Sequence, residues 1–257
     1  MPPGIFEPNV INYLFLFGAG LFAGFVDSIA GGGGLISLPA LLSVGLPPQI
    51  ALGTNKLQGS FGALSAAYTY TRRGAAPLKP LCAGIIYTFI GAALGAWAIQ
   101  QMDAGFLKHL IPVLLCVVLV YTLASPRLGY AQRAAVLPRH LFYLLFGVGL
   151  GFYDGFFGPG AGSFWTAAFL AFRGLSMAQA VGNTRVVNFT SNIVALAVFM
   201  LSGSVLFGVG LLMAVGQVIG ARIGSNLAIT KGTRFIRPVF LAVVFITLAR
   251  MVYINYL

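Results

Sequence analysis

GFVDSIAGGGG (residues 24–34) returns 127 positions later as GFYDGFFGPGA (151–161). Gly24, Phe25, Asp27, Gly31 and Gly33 match Gly151, Phe152, Asp154, Gly158 and Gly160. Two residues are then inserted, and the match resumes at an offset of 129. GLPPQIALGTNK (45–56) faces GLSMAQAVGNTR (174–185), with Lys56 opposite Arg185. Further on, Gly91 and Gly95 echo Gly216 and Gly220, and Lys108 and Pro112 echo Arg234 and Pro238. Matches between single glycines are expected by chance in a chain holding 34 of them. An aspartate pair and a cation pair in preserved order are not. The chain therefore reads as two copies of one unit.

The medium around those copies follows from composition. Of 257 residues, 59% are hydrophobic and 7% charged, whereas a soluble domain carries about 25% charged residues. An ordinary soluble enzyme is excluded, because its surface could not be built. The 15 basic residues against 4 acidic ones give +11, yet they are scattered between apolar runs. A nucleic-acid partner wants them clustered on a solvated face, so none is expected. Disorder is excluded by the same hydrophobicity. The chain reads as an all-α polytopic membrane protein with the lipid bilayer as its solvent.

Apolar segments fall near 10–30, 35–46, 56–71, 81–100, 106–124, 141–157, 163–172, 186–201, 205–229 and 238–257. Most approach the ~20 residues that a spanning helix needs. Those at 35–46 and 163–172 are too short to cross alone at about 1.5 Å per residue. The runs are continuous rather than alternating, which disfavours a barrel. No cation precedes the first run, so 10–30 reads as a retained helix and not a signal peptide. Cys82 and Cys116 lie inside apolar runs without metal-ligand spacing and read as small buried residues. No metal and no cofactor is expected.

Cytoplasmic loops collect Lys and Arg. If all ten segments cross, one side holds Arg72, Arg73, Lys79, Arg127, Arg133, Arg139, Arg173, Lys231, Arg234 and Arg237, and the other holds Lys108 alone. If the two short segments are re-entrant, eight crossings remain and the bias largely disappears. The charge pattern favours ten, with both termini outside and the loop 125–140 in the cytoplasm. Arg222 and Arg250 lie near span ends, and Arg222 reads as snorkelling towards the basic face. Residues 1–124 then form the first repeat, 125–140 the linker and 141–257 the second repeat. Five segments per copy means that the second copy enters from the opposite side, the inverted-repeat design of many secondary transporters. The basic loop 71–80 has Ser-Gly-Ser (202–204) as its counterpart, as opposite sides require.

AGFVDSIAGGGGLISLPALLSVGLPPQIALGTNK and GFYDGFFGPGAGSFWTAAFLAFRGLSMAQAVGNTR together resemble the duplicated pattern of the sulfite exporter TauE/SafE family of bacterial membrane proteins. The resemblance covers essentially the whole chain. It implies a multi-pass protein of the bacterial inner membrane that transports sulfite or a sulfur-containing organic anion.

The residues themselves outline a site. Gly31, Gly32, Gly33 and Gly34, and Gly158-Pro159-Gly160-Ala161-Gly162, cannot continue a good helix. Gly is about 1 kcal/mol and interior Pro about 3 kcal/mol worse than Ala. Helices should break there and restart near Leu35 and Ser163, presenting unpaired N–H groups and partial positive charge. Such termini favour anions. An oxyanion is expected between the repeats. Lys56 and Arg185 supply charge; Thr54, Asn55, Asn183 and Thr184, with Gln58 and Asn188, supply hydrogen bonds. The bland reading sets Lys56 and Arg185 snorkelling at the interface. Asp27 and Asp154 read either as structural ion-pair partners of those cations or as proton-coupling carboxylates.

Other classes fit less well. Gly160-Ala161-Gly162-Ser163 loosely suggests a nucleophile turn, but His109 and His140 lie near segment ends, and a serine nucleophile needs a base in reach. A phosphate-cradling reading of the glycines lacks a strand–turn–helix context. An anion channel, or a proton- or cation-coupled carrier centred on Asp27 and Asp154, uses the same residues as an anion carrier, and sequence does not separate them.

Overall fold

The structure is a computed structural model that describes residues 9–124 and 134–231, with side chains described for all of these but 118–124 and 231. The segment at 238–257, most of the 125–140 linker, and Arg127, Arg133, Arg234, Arg237, Pro238 and Arg250 lie outside the described residues.

The elements in order are α1 (Val10–Ala30), α2 (Gly34–Ser43), α3 (Pro48–Arg72), a 3-10 turn (Lys79–Leu81), α4 (Cys82–Gln100) and α5 (Ala104–Ala124). The second half holds α6 (Arg139–Phe142), a π-helical turn (Tyr143–Gly147), α7 (Val148–Phe156), α8 (Ala161–Arg173), α9 (Met177–Leu201) and α10 (Phe207–Lys231). Among the described residues there is no strand. Among the described residues, four helices are long and apolar enough to cross a membrane: Val10–Ala30, Lys79–Gln100, Met177–Leu201 and Phe207–Thr230.

The breaks fall at the two glycine runs. α1 ends where Gly31 adopts φ +84° and returns its N–H to the Asp27 carbonyl. α7 ends at Phe156, and Gly158 (φ +101°) and Gly160 (φ +81°) turn the chain into α8. L-residues with a Cβ avoid this left-handed region.

α3 and α9 begin at Pro48 and Met177, well before the apolar runs at 56 and 186. Pro47 is extended and Pro48 takes the first helical position, where its missing N–H is harmless. Ser176 and Gln179 form a capping box at the start of α9. Polar residues follow early in both helices, Gly53-Thr54-Asn55-Lys56 and Gly182-Asn183-Thr184-Arg185, so hydropathy hides their starts. Lys56 and Arg185 consequently sit inside helices and away from any edge, and snorkelling is overturned: they are 1% and 0% exposed.

α3 and α9 lie antiparallel at the centre, with Gly53 against Phe199, Gly59 against Asn192 and Gly182 against Tyr70. α1 runs parallel to α10, with Gly20 at Met213 and Gly24 at Gln217; α3 also runs parallel to α10, from Leu57 at Gly210 to Arg73 at Asn226. α4 runs parallel to α7, with Gly91 at Val148 and Gly95 at Phe152.

These contacts recur between the halves. Gly24 abuts the Gln217 backbone as Gly151 abuts that of Thr88. Gly91 meets Val148 and Phe152 as Gly220 meets Leu21 and Phe25. The register in α4 and α10 is therefore again 129, so Gly91 and Gly95 correspond to Gly220 and Gly224, one turn beyond the sequence match. A stripe of glycine at every fourth residue (Gly216, Gly220, Gly224) lets a four-residue slip match equally well.

The outward faces of the long helices are apolar: Ile86, Phe89 and Trp97 on α4 and Val215 and Ile223 on α10 are all more than half exposed. Such a surface suits lipid. Cys82 and Cys116 lie on it as well. They are exposed rather than buried, because hydropathy does not separate a lipid-facing residue from a core one.

Candidate functional site

The glycine breaks touch each other. A Cβ on Gly31 would lie 2.3 Å from the Gly162 carbonyl carbon, and Ser163 Oγ donates to the Ala30 carbonyl at 2.8 Å. The restart of α2 thus lies beside the restart of α8. Two ion pairs then cross from one half of the chain to the other. Lys56 Nζ donates to Asp154 Oδ1 at 2.7 Å and also to the Asp154 carbonyl. Arg185 Nη1 donates to Asp27 Oδ2 at 2.8 Å.

Both cations thus meet a carboxylate from the other half of the chain. Their surroundings differ. Asp154 Oδ2 accepts a short hydrogen bond from Ser191 Oγ, and the whole group is buried. The Asp27 side chain keeps 17% of its surface exposed, and its Oδ1 accepts the Gly33 N–H at 3.1 Å. The first half-helix N-terminus is therefore partly satisfied from within. Arg185 Nε and Nη2 are buried with no acceptor among the described residues, and Nη2 lies against Gly162. Buried guanidinium donors without partners are uncommon and call for an acceptor.

Around the pairs lies a polar cavity of about 30 Å3. Each water needs roughly 10–15 Å3 on this measure, so it has room for two or so. Its walls include Asp27, Asn55, Lys56, Gln58, Asp154 and Asn188, together with Gly31, Gly34, Gly158, Gly160 and Gly162 of the breaks. Gly32 and Gly33 turn the chain but do not line it. Gln58 Oε1 and Asn188 Oδ1 are buried without partners among the described residues.

Three expected ligands are used elsewhere or set apart. Thr54 Oγ1 accepts the Leu206 N–H at 3.0 Å, at the connection into α10. Thr184 Oγ1 lies 3.1 Å from Thr166 Oγ1. Asn183 is buried outside the cavity wall. The Thr166–Thr184 bond has a counterpart at the same 129 offset: Ser37 Oγ donates to Asn55 Oδ1 at 2.6 Å.

The profile of the family described as Sulfite exporter TauE/SafE matches residues 16–251. The chain belongs to the sulfite exporter TauE/SafE family. A Haemophilus influenzae protein named probable membrane transporter protein is 44% identical over 238 residues, covering 93% of each chain. Probable membrane transporter protein YfcA of Escherichia coli is 42% identical over 247 residues, 96% of this chain and 91% of its own. Probable membrane transporter protein YjnA of Bacillus subtilis is 26% identical over 230 residues, 81% of this chain and 87% of its own. No solved structure matches. The protein is thus a TauE/SafE membrane transporter and not an enzyme.

Three cavity residues of this TauE/SafE chain are not prominent in its sequence: Gly59, Asn192 and Gln217. Asn192 lies one turn after Asn188 and two after Arg185, on one helix face. Gln217 corresponds to Thr88 at the 129 offset, a polar residue within an apolar span. Helix periodicity counted from Arg185 and the corrected register were the available signals.

Proposed function

We propose that the protein is a secondary transporter that carries a small, sulfur-containing anion across the bacterial inner membrane by alternating access between two inverted repeats, 1–124 and 141–257. The antiparallel run of the equivalent helices α3 and α9 supports the inversion. Ten crossings, two of them made by short helices after glycine breaks, agree with the charge pattern of the loops and put 125–140 in the cytoplasm.

One observation carries the reading: Arg185, itself outside the cavity lining, keeps two buried, unpartnered donors, one of which lies against Gly162 of the cavity wall next to Asn188. A guanidinium fork suits an oxyanion. The cavity is too small for one, so binding requires the walls to part, and the touching breaks at Gly31 and Gly162 are where they would part. Protons are the coupling ion in this reading. A proton on Asp27 releases the Arg185 charge, and the anion replaces the carboxylate, so one monovalent anion and one proton move together without net charge. A protein that keeps pH-dependent transport in proteoliposomes with Asn at both 27 and 154 is not coupled this way.

The test is a thermal-shift screen of the purified chain against sulfite, organosulfonates, carboxylates and inorganic cations. A ligand of the folded state raises the melting temperature. The expected result is stabilisation by a sulfur oxyanion or sulfonate, absent with sodium or potassium. Stabilisation by cations alone would move the assignment to a cation carrier centred on Asp27 and Asp154. Single-channel conductance in a planar bilayer would replace the carrier by a channel.

A further inference from the structure

A second charged place lies far from the central cavity. Arg72 and Arg73 end α3, and Arg222 lies level with Thr69 on the parallel helix α10. With Tyr68, Thr69 and Asn226 they line a groove of about 170 Å3, several times the central cavity. Its geometry is partly organised. Arg72 Nη1 donates to the Tyr68 hydroxyl at 3.1 Å, with the guanidinium 6.0 Å from the ring centroid, and Arg73 Nη2 donates to Asn226 Oδ1 at 3.3 Å.

Three guanidiniums here face no carboxylate among the described residues. Asp27 and Asp154 pair with the inner cations, and Asp103 accepts the Gly105 and Phe106 N–H groups at the start of α5. Like charges gathered without a counter-ion repel one another, and an anion with several oxygens relieves that. The walls below the groove are apolar. Phe61, Leu64 and Tyr68 form an exposed stripe along α3, and Val215, Ile219 and Ile223 form one along α10. Since the two helices run parallel, these stripes lead from the groove along the lipid-facing surface. A soluble anion would use the arginines only; a phospholipid uses the arginines for its phosphate and the stripes for its acyl chains.

We propose that this groove binds the phosphate of an anionic phospholipid from the leaflet on that face. Arg offers bidentate bonds to phosphate, and basic pockets between membrane helices bind anionic headgroups. Tyr68 lies one turn before Arg72 near the end of α3 with its ring exposed, and amphipathic rings are favoured at membrane–water interfaces. The site is independent of what the central cavity carries.

The test uses the full chain in a neutral detergent. Phosphatidylglycerol, phosphatidylcholine and inorganic phosphate are compared by thermal shift and by lipid adducts in native mass spectrometry. Phosphatidylglycerol should stabilise the protein and stay bound, with little effect from the other two. Exchange of Arg72, Arg73 and Arg222 for Gln should weaken phosphatidylglycerol binding about fivefold per arginine, on the order of a hundredfold together. Equal responses to phosphatidylglycerol and phosphatidylcholine overturn the proposal. Full reproduction by inorganic phosphate assigns the groove to a soluble anion and overturns it too. Undiminished binding in the triple variant does the same. Should that variant not fold, Arg222→Gln alone decides the last point, and the wild-type comparisons decide the others.

Discussion

Lys56 donates to both the side chain and the carbonyl of Asp154, whereas Arg185 meets Asp27 through one bond and keeps two donors without partners among the described residues. The two pairs stand at repeat-related positions and cross between the same two halves. Lys56, Asp154 and Asp27 all line the cavity, the Lys56 pair at 1% and 3% side-chain exposure and Asp27 at 17%. In the proposed reading, the difference separates a lock from a ligand site. Lys56 spends two of its three N–H donors on Asp154. Arg185 keeps two buried donors without partners among the described residues.

The largest expected effect tests the lock. Asp154→Asn leaves the Lys56 ammonium buried without a counter-charge, and breaking a buried pair in this way costs about 3–5 kcal/mol. Asp27→Asn should cost clearly less, because its site is more open. Both are read from thermal unfolding in detergent. The double variant Lys56→Met with Asp154→Leu should recover most of the loss, since an apolar replacement of a whole pair is often near neutral. Equal losses for the two aspartates would erase the distinction between the pairs.

Next comes the backbone that brings the pairs together. Gly31→Ala must hold a Cβ at φ +84°, roughly 1–2 kcal/mol from the left-handed conformation alone, and that Cβ would sit 2.3 Å from the Gly162 carbonyl carbon. Gly158→Ala carries the same kind of strain at φ +101°, but its Cβ would press on the Lys56 amine at 2.7 Å. Both variants should melt lower than wild type. Gly31→Ala should also lose substrate-induced stabilisation if the halves part at that contact. Preserved ligand response with a lowered melting temperature would move the hinge elsewhere.

The ligand end is tested by exchanging the cations. Arg185→Lys keeps a positive charge opposite Asp27 and removes the fork. Hydrogen bonds to charged groups are worth about 1.5–3 kcal/mol, so anion affinity should fall roughly 10–100-fold with modest loss of stability. Lys56→Arg should leave affinity nearly unchanged if its pair is only a lock. Titration by thermal shift or by binding calorimetry distinguishes the two. The reverse pattern would assign the anion to the Lys56 end.

Much of this frame was legible in the residues. The duplicated GFVDSIAGGGG and GFYDGFFGPGA gave the helix breaks, because glycine in a helix has a large local effect wherever it occurs, and GLPPQIALGTNK against GLSMAQAVGNTR gave the equivalence of the cations. The crossing of the pairs was not legible. Lys56 could have met Asp27 of its own half as readily as Asp154, and only the packing of α3 against α9 decides. The starts of α3 and α9 were hidden for a related reason. Their polar inner faces lower the hydropathy of helices that are nonetheless buried, so the apolar run began where the polar face ended. Lys56 and Arg185 were thereby placed at an edge they do not occupy.

The smallest expected effect compares two hydrogen bonds that the repeat makes equivalent. Ser37 Oγ donates to Asn55 Oδ1, which also accepts from Gln58 Nε2 at 2.7 Å, and Asn55 lines the cavity. Thr166 Oγ1 meets Thr184 Oγ1 and donates to the Gly162 carbonyl at 2.8 Å, and Thr184 does not line the cavity. Ser37→Ala and Thr166→Val should each lower stability by about 1 kcal/mol, the net worth of one buried hydrogen bond. Only Ser37→Ala releases a cavity-lining amide, so only it should change anion affinity, by a few-fold. If Thr166→Val weakens the anion as much, the site spreads evenly over both halves, and the separation of lock from ligand drawn from the ion pairs fails with it.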